Sequence, residues 1–256
     1  MKKVIAVIPA RYRSTRFEGK PLAMICGKPM IQHVYENALR CERIDRLIVA
    51  TDDDRIGQVV QQFGGEVCMT SPGHASGTDR VAEVVGNYQA DIVINVQGDE
   101  PLLESAAITE ALMPMLEDET LPMATLKTRI LDHDEATDPN VVKVVTDRKG
   151  FALYFSRSPI PFYTPPSWRE AVMFRHVGIY VYARDFLMTF SNLPQTELEK
   201  TERLEQLRAL EHGYRIRVVE TKYRPIGVDT PEDLIRVEKI LRQGNYSAAQ
   251  EVQAHH

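Results

Sequence analysis

At 256 residues and 29.1 kDa, with 43% hydrophobic and 26% charged residues, the chain suits one large α/β domain or one domain with a modest second lobe. That composition excludes a disordered or collagen-like polymer, and no apolar run reaches the ~20 residues of a membrane helix. The net charge of −5 argues against a broad nucleic-acid-binding surface, and three cysteines (Cys26, Cys41, Cys68) without a CxxC pair fit a reducing cytoplasm and no metal cluster.

Val4–Ile8 follows two lysines, like the start of a signal peptide, but its apolar part is too short and Pro9-Ala10-Arg11 comes at once. The run reads instead as a first strand covered on both faces, and Leu47–Ala50 and Ile92–Val96 read the same way. Between them Met30, Ile31, Val34, Tyr35 and Ala38 repeat at helical spacing, as do Ile56, Val59, Val60 and Phe63. Gly64-Gly65 closes the second of these helices ahead of a short strand, Glu66–Met69, and Ser76-Gly77-Thr78-Asp79 opens a third helix. The alternation predicts the α/β class: a mostly parallel sheet with helices on both faces. Beyond about residue 120, strands over 123–130, 141–146, 151–156 and 177–182 predict a smaller mixed lobe within about 122–215, with Asp147–Gly150 as a hairpin turn. Pro159–Pro166 resists regular structure. Thr196-x-x-Glu199 is a capping box for a helix expected to run to about His212, with Leu204, Leu207 and Leu210 on its apolar face. The last helix starts near Pro231, so residues 1–243 are expected to form one domain and 244–256 a polar, disordered tail.

Three segments carry chemistry. The loop after the first strand, Pro9-Ala10-Arg11-Tyr12-Arg13-Ser14-Thr15-Arg16-Phe17-Glu18-Gly19-Lys20-Pro21, sets four cations at the carboxyl end of a buried parallel strand, where such sheets bind ligands. Forked arginines and a lysine suit a polyphosphate, although a solvated basic loop has the same letters. Neither G-x-G-x-x-G nor G-x-x-x-x-G-K-[ST] is present, which disfavours a dinucleotide oxidoreductase and a P-loop ATPase. Asn95-Val96-Gln97-Gly98-Asp99-Glu100-Pro101 follows the third long strand; Asp99 suits Mg²⁺ beside a nucleotide, Gly98 lets a ligand approach the backbone, and an ordinary turn explains the same residues. In Gly227-Val228-Asp229-Thr230-Pro231-Glu232-Asp233, Thr230 as N-cap, Pro231 at the first helical position and Asp233 complete a helix start, which leaves Asp229 spare for a metal shared with Asp99.

With PARYRSTRFEGKPL, TDD, SGTDR, NVQGDEP, PNVVKVV, ALYFSRSPIP, RHVGIYVY, LEQLRALEHG and VDTPEDL in order from about residue 4 to 240, the sequence resembles the 3-deoxy-manno-octulosonate cytidylyltransferases (CMP-KDO synthetases). Phe17-Glu18 departs from the family's more usual Leu-Pro and leaves Arg16 and Lys20 in place. The resemblance implies a nucleotide-diphospho-sugar transferase fold, a smaller lobe at the interface of a homodimer, Mg²⁺ as cofactor, CTP and the sugar acid as partners, and a cytoplasmic setting. It assigns Arg11, Ser14, Arg16 and Lys20 to the CTP phosphates, with Lys20, Asp99 and Asp229 as the catalytic set and the two aspartates as metal ligands. Ser76, Gly77 and Arg80 would lie by the cytosine and ribose, and Gln97 near the sugar. Arg157, His176, Tyr180, Glu205 and Gln206 would bind the sugar acid. Residue chemistry leaves rivals for these last: a structural strand histidine at 176, and a pair between Glu205 and Arg208 on one helix. The 8-amino-8-deoxy sugar, a sialic acid, or a non-catalytic sugar-nucleotide binder are the alternative functions.

Overall fold

Every side chain from Val4 to Ile8 is buried, as a strand allows only where both faces of its sheet are covered. These residues lie in β1 (Val4–Ala10), which is followed by one turn of 3-10 helix (Lys20–Leu22) and a hairpin of β2 (Met24–Ile25) and β3 (Lys28–Pro29). Next come α1 (Met30–Leu39), β4 (Arg46–Thr51), α2 (Asp54–Gln62), β5 (Glu66–Met69), α3 (Gly77–Gly86), β6 (Ile92–Asn95) and α4 (Ser105–Glu117). The computed structural model describes residues 2–13, 17–74, 76–163 and 172–243 and divides into two compact units, Met1–Thr109 with Pro225–His256, and Glu110–Arg224.

In the first unit the strands run parallel in the order β6-β1-β4-β5. Gly64 after α2 and the Ser76–Asp79 start of α3 are the signals anticipated, whereas the Asp53 cap of α2 is a finding of the structure. Asp53 caps α2 by accepting from Arg55 N, Gly64 follows that helix at φ 80°, and Ser76 and Asp79 form a capping box on α3. A C-terminal helix returns to this unit, and its Val237 packs with Val228, Ile25, Met30 and Leu102 in one buried cluster.

The second unit holds β7 (Met123–Arg129), α5 (His133–Thr137), β8 (Lys143–Thr146), β9 (Ala152–Ser156), β10 (Phe174–Ala183), α6 (Arg184–Phe190), α7 (Glu197–Glu202), α8 (Gln206–Glu211) and β11 (Ile216–Glu220); α9 (Pro231–Arg242) is the returning helix of the first unit. β10 pairs antiparallel with β7 and β8, β8 with β9, and β11 parallel with β7, which makes this sheet mixed. The β8–β9 turn is the expected hairpin: Asp147 Oδ1 accepts from Lys149 N and Phe151 N, and Gly150 sits at φ 76°.

One expectation is corrected. The helix foreseen from Thr196 to about His212 is two helices, α7 and α8, broken where Arg203 adopts the left-handed conformation at φ 54°. Leu204, Leu207 and Leu210 all lie beyond Arg203, so their periodicity does not report on the break. What holds the halves together is Arg208 on α8, which donates to both oxygens of Glu199 on α7 at 2.8 and 2.5 Å in a buried fork. The pair foreseen between Glu205 and Arg208 is the longer one, at 3.7 Å. The β2–β3 hairpin, α5 and α6 carry no strong sequence signal, each being seven residues or shorter. No helix among the described residues is long and apolar enough to cross a membrane.

Candidate active site

The carboxyl ends of β1 and β6 open onto the first unit's loops, and three charged side chains meet there. Lys20 Nζ lies 3.0 Å from Asp99 Oδ2 and 3.3 Å from Asp229 Oδ1. The meeting is set by the backbone: Val228 N donates to Asp99 O at 2.9 Å, which lays the segment ahead of α9 along the turn after β6. Thr230 Oγ1 accepts from Asp233 N, and Asp233 Oδ2 accepts from Thr230 N, so the cap of α9 is complete without the Asp229 side chain. Gly98 is required by the fold itself. A Cβ there would stand 2.9 Å from Pro9 O, so the turn carrying Asp99 closes against β1 itself. Gln97 occupies the first position of this turn, its carbonyl accepting from Glu100 N.

The cationic loop between β1 and Lys20 has a closed neck. Gly19 N donates to Tyr12 O at 2.8 Å, and a Cβ on Gly19, at φ 70°, would stand 3.2 Å from the Tyr12 ring. The Arg55 guanidinium covers that ring at 3.3 Å and is held by both oxygens of Asp53, at 2.9 and 2.7 Å. Asp53 belongs to the TDD segment, quoted above without a role, and Arg55 follows two residues later. Ser14 and Arg16 lie outside the described residues. Arg11 is half-buried and donates from Nη2 to His74 O at 2.9 Å and Ser76 O at 2.8 Å. Ser76 Oγ is committed to Asp79 N, and Gly77 begins α3 against the Pro9 ring. Arg80 is fully enclosed; it donates to Thr70 Oγ1 and pairs with Asp52 at 3.2 Å, so it ties α3 to the ends of β4 and β5.

The remaining expected residues lie in the second unit. Arg157 Nε donates to Glu202 O at 2.7 Å, Nη1 to Pro139 O at 2.9 Å and Nη2 to Arg203 O at 3.5 Å. The guanidinium thus caps the carbonyls that the end of α7 leaves without helical partners. Glu202 answers from its side chain, accepting from Ser156 Oγ at 2.7 Å and Arg157 N at 2.9 Å. His176 and Tyr180 share one face of β10, their ring centroids 5.2 Å apart, although a bulge lies between them in the pairing with β7. Thr125 Oγ1 is 2.8 Å from both His176 Nε2 and Ile179 O. The carbonyl only accepts, so the hydroxyl donates to it and accepts from Nε2–H, which leaves Nδ1 of a neutral ring as an acceptor. Burial, reinforced by the Arg175 charge, pushes the His176 pKa down to about 3, so the ring is neutral at pH 7. Burial and then the Glu205 carboxylate raise the Tyr180 phenol, which stays a donor. Gln206 is buried at the start of α8 and Glu205 precedes it.

The aspartate pair fits a magnesium ion. Asp99 and Asp229 already hold a cationic nitrogen between them, and among the described residues no group of three or more His, Cys, Asp or Glu converges. Two carboxylates, with water and phosphate oxygens completing the shell, are what Mg²⁺ takes beside a nucleotide.

The chain is similar to proteins whose activity is known. It is 57% identical to the 3-deoxy-manno-octulosonate cytidylyltransferase of Syntrophotalea carbinolica, across 93% of this chain and 98% of that one. It is 53% identical to the enzyme of the same name from Trichlorobacter lovleyi, across 94% and 100%. Among solved structures, a CMP:2-keto-3-deoxy-manno-octonic acid synthetase complexed with CTP superposes with a TM-score of 0.90 at 48% identity, over 94% of this chain and 99% of that one. Residues 5–216 match the sequence profile described as Cytidylyltransferase, and the chain belongs to that family.

Proposed function

We propose that this chain transfers the CMP group of CTP to 3-deoxy-manno-octulosonate and releases pyrophosphate, activating the sugar acid for lipopolysaccharide synthesis. The observation that carries the reading is the convergence of Asp99 and Asp229 on Lys20 at the carboxyl end of a parallel sheet. The relatives, more than half identical over nearly their whole length, supply the identity of the sugar.

In the reaction the sugar's anomeric hydroxyl attacks the α-phosphorus in line, the bond to the β-phosphate oxygen breaks, and the hydroxyl proton leaves to water. Lys20 and Arg11 hold the phosphate chain and offset the charge that grows on departing pyrophosphate. Asp99 and Asp229 would hold Mg²⁺, which when bound supplies charge neutralisation at the phosphates and acidifies the attacking hydroxyl. Ser76, Gly77 and Arg80 are assigned to the nucleoside, Arg80 from its enclosed place against Thr70 and Asp52. Arg157 offers the sugar carboxylate the N–H groups that its three carbonyl contacts leave over, a planar geometry lysine does not reproduce. Neutral His176, through Nδ1, and protonated Tyr180 read ring hydroxyls together with Glu205 and Gln206. His176 serves as neither cation nor proton source at neutral pH, because its pKa lies near about 3. The same reading carries a homodimer and a cytoplasmic setting; light scattering in solution measures the first.

Pyrophosphate release with CTP and Mg²⁺ across a panel of sugar acids tests the proposal. It stands if 3-deoxy-manno-octulosonate is turned over best and EDTA abolishes the signal. Preference for the 8-amino sugar or a sialic acid changes the substrate, and silence with all of them leaves a binding protein.

A further inference from the structure

The groups that aim Arg11 are themselves anchored by residues the reading above leaves without a role. A carbonyl pair orients a guanidinium only as well as the carbonyls are fixed. Ser76 is fixed by the α3 capping box. His74 has no such cap. Instead Glu83, in the second turn of α3, accepts from Ser71 N at 3.0 Å and from His74 Nε2 with the same oxygen, so one carboxylate grips the segment ahead of the helix at two points. Ser71 Oγ tightens the segment further by accepting from Gly73 N at 3.2 Å. The His74 contact, followed by that of Ser71 N, holds the Glu83 carboxyl below its ordinary pKa, so the grip is charged throughout the neutral range. His74 therefore gives its ring to Glu83 and its carbonyl to Arg11. Among the described residues Arg11 Nε and Nη1 make no hydrogen bond, and these are the donors left for a ligand.

We propose that Glu83 and His74 are positioning residues for nucleotide binding: Glu83 fixes the His74 ring, the His74 and Ser76 carbonyls fix Nη2 of Arg11, and the rest of the fork faces the CTP phosphates. The proposal rests on the reading of Arg11 as a phosphate ligand, and neither Glu83 nor His74 touches substrate.

A mutant cycle with CTP as the probe separates this role from a loop clamp that serves stability alone. Glu83 is 35% exposed and alanine favours helix, so Glu83→Ala is expected to fold. It should raise the KM and Kd for CTP roughly 3- to 30-fold, which lies within the range of coupling between residues in one network, with kcat and the KM for the sugar acid within about twofold of wild type. Glu83→Gln keeps both acceptor contacts and should restore most of the CTP affinity. The variant carrying both Arg11→Ala and Glu83→Ala should bind CTP no more weakly than Arg11→Ala alone. If Glu83→Ala fails to fold, His74→Phe repeats the test, since it keeps both carbonyls and deletes the ring N–H. Additive losses in the cycle, or unchanged CTP affinity in the single variants at positions 83 and 74, overturn the proposal. Unchanged CTP affinity in Arg11→Ala overturns the reading of Arg11 itself.

Discussion

Asp229→Asn separates a metal ligand from a helix-start residue by the ratio of two losses. The substitution keeps shape and one acceptor oxygen and removes a negative charge that faces Lys20 at 3.3 Å. Asp229 is 47% exposed, and an ion pair so open to water contributes at most about 1 kcal/mol. For a chain of this size that corresponds to a fall in Tm of no more than about 2–4 °C. The cap of α9 is untouched, because Thr230 Oγ1 accepts from Asp233 N and Pro231 occupies the first turn. Turnover responds on another scale. If the pair holds Mg²⁺ as proposed, losing half of its anionic charge removes several kcal/mol of transition-state stabilisation, about 10²–10⁴ in rate. Thr230→Ala is the converse control: it should lower stability by about 1 kcal/mol through the cap while turnover stays within severalfold of wild type. The assay is pyrophosphate release against Mg²⁺ concentration, with thermal melts of both variants. Near-native turnover with unchanged Mg²⁺ dependence in Asp229→Asn would refute the reasoning, as would a fall in Tm far beyond 4 °C accompanying the loss of rate.

Four further outcomes are expected. Lys20→Met removes the ammonium seated between the two carboxylates, so Mn²⁺ used as a paramagnetic probe should bind the nucleotide-free protein roughly tenfold tighter even as turnover falls; weaker Mn²⁺ binding contradicts this. Arg157→Ala should lower stability by about 1–2 kcal/mol, since it uncovers the carbonyls of Glu202 and Arg203, and should weaken sugar-acid binding; unchanged sugar affinity would leave Arg157 a helix cap only. His176 has a folded pKa of about 3 against about 6.5 unfolded, so below pH 6.5 the unfolded chain takes up a proton that the folded chain refuses, and the stability it contributes above that pH is lost as pH falls toward 3. The unfolding free energy from denaturant titration should therefore fall further between pH 7.5 and pH 5 for wild type than for His176→Gln, by on the order of 1–2 kcal/mol, and equal falls would exclude a buried neutral ring. Arg203→Gly relieves a left-handed residue whose side chain is exposed and should raise stability by about 0.5–1 kcal/mol in chemical denaturation; a loss would mean that the side chain holds the α7–α8 break.

Local rules carried much of this structure. The parallel strands were legible because runs such as Val4–Ile8 are apolar at every position, and the starts of α3, α7 and α9 because Ser76, Thr196 and Thr230 each stand three residues before a carboxylate. The separation of Asp229 from the cap of its helix was legible for the same reason. Contacts between distant segments were not. Nothing in the spacing announces that Arg203 turns left-handed, that Arg157 finds the carbonyls this exposes, or that Arg80 is enclosed with Asp52 and Thr70. Gly98 shows how a residue can carry a reason that its sequence context does not display: its missing Cβ makes room for the carbonyl of Pro9. Neutral His176 is likewise a product of burial, which a sequence does not display.

The hydrogen bond from Val228 N to Asp99 O joins two stretches of one unit that are separated in the chain by the whole of the other. During synthesis the ribosome therefore releases β1 to β6 and their helices long before α9 exists to cover Ile25, Met30 and Leu102. Until then the nascent first unit holds Asp99 and Lys20 without Asp229, and a patch of its core faces water. Closing so long a loop is slow in entropic terms, so the final docking of α9 is placed to be the late step of folding. A chain stalled before Pro225 would present the sheet without α9 over it, with Ile25, Met30 and Leu102 open to chaperones.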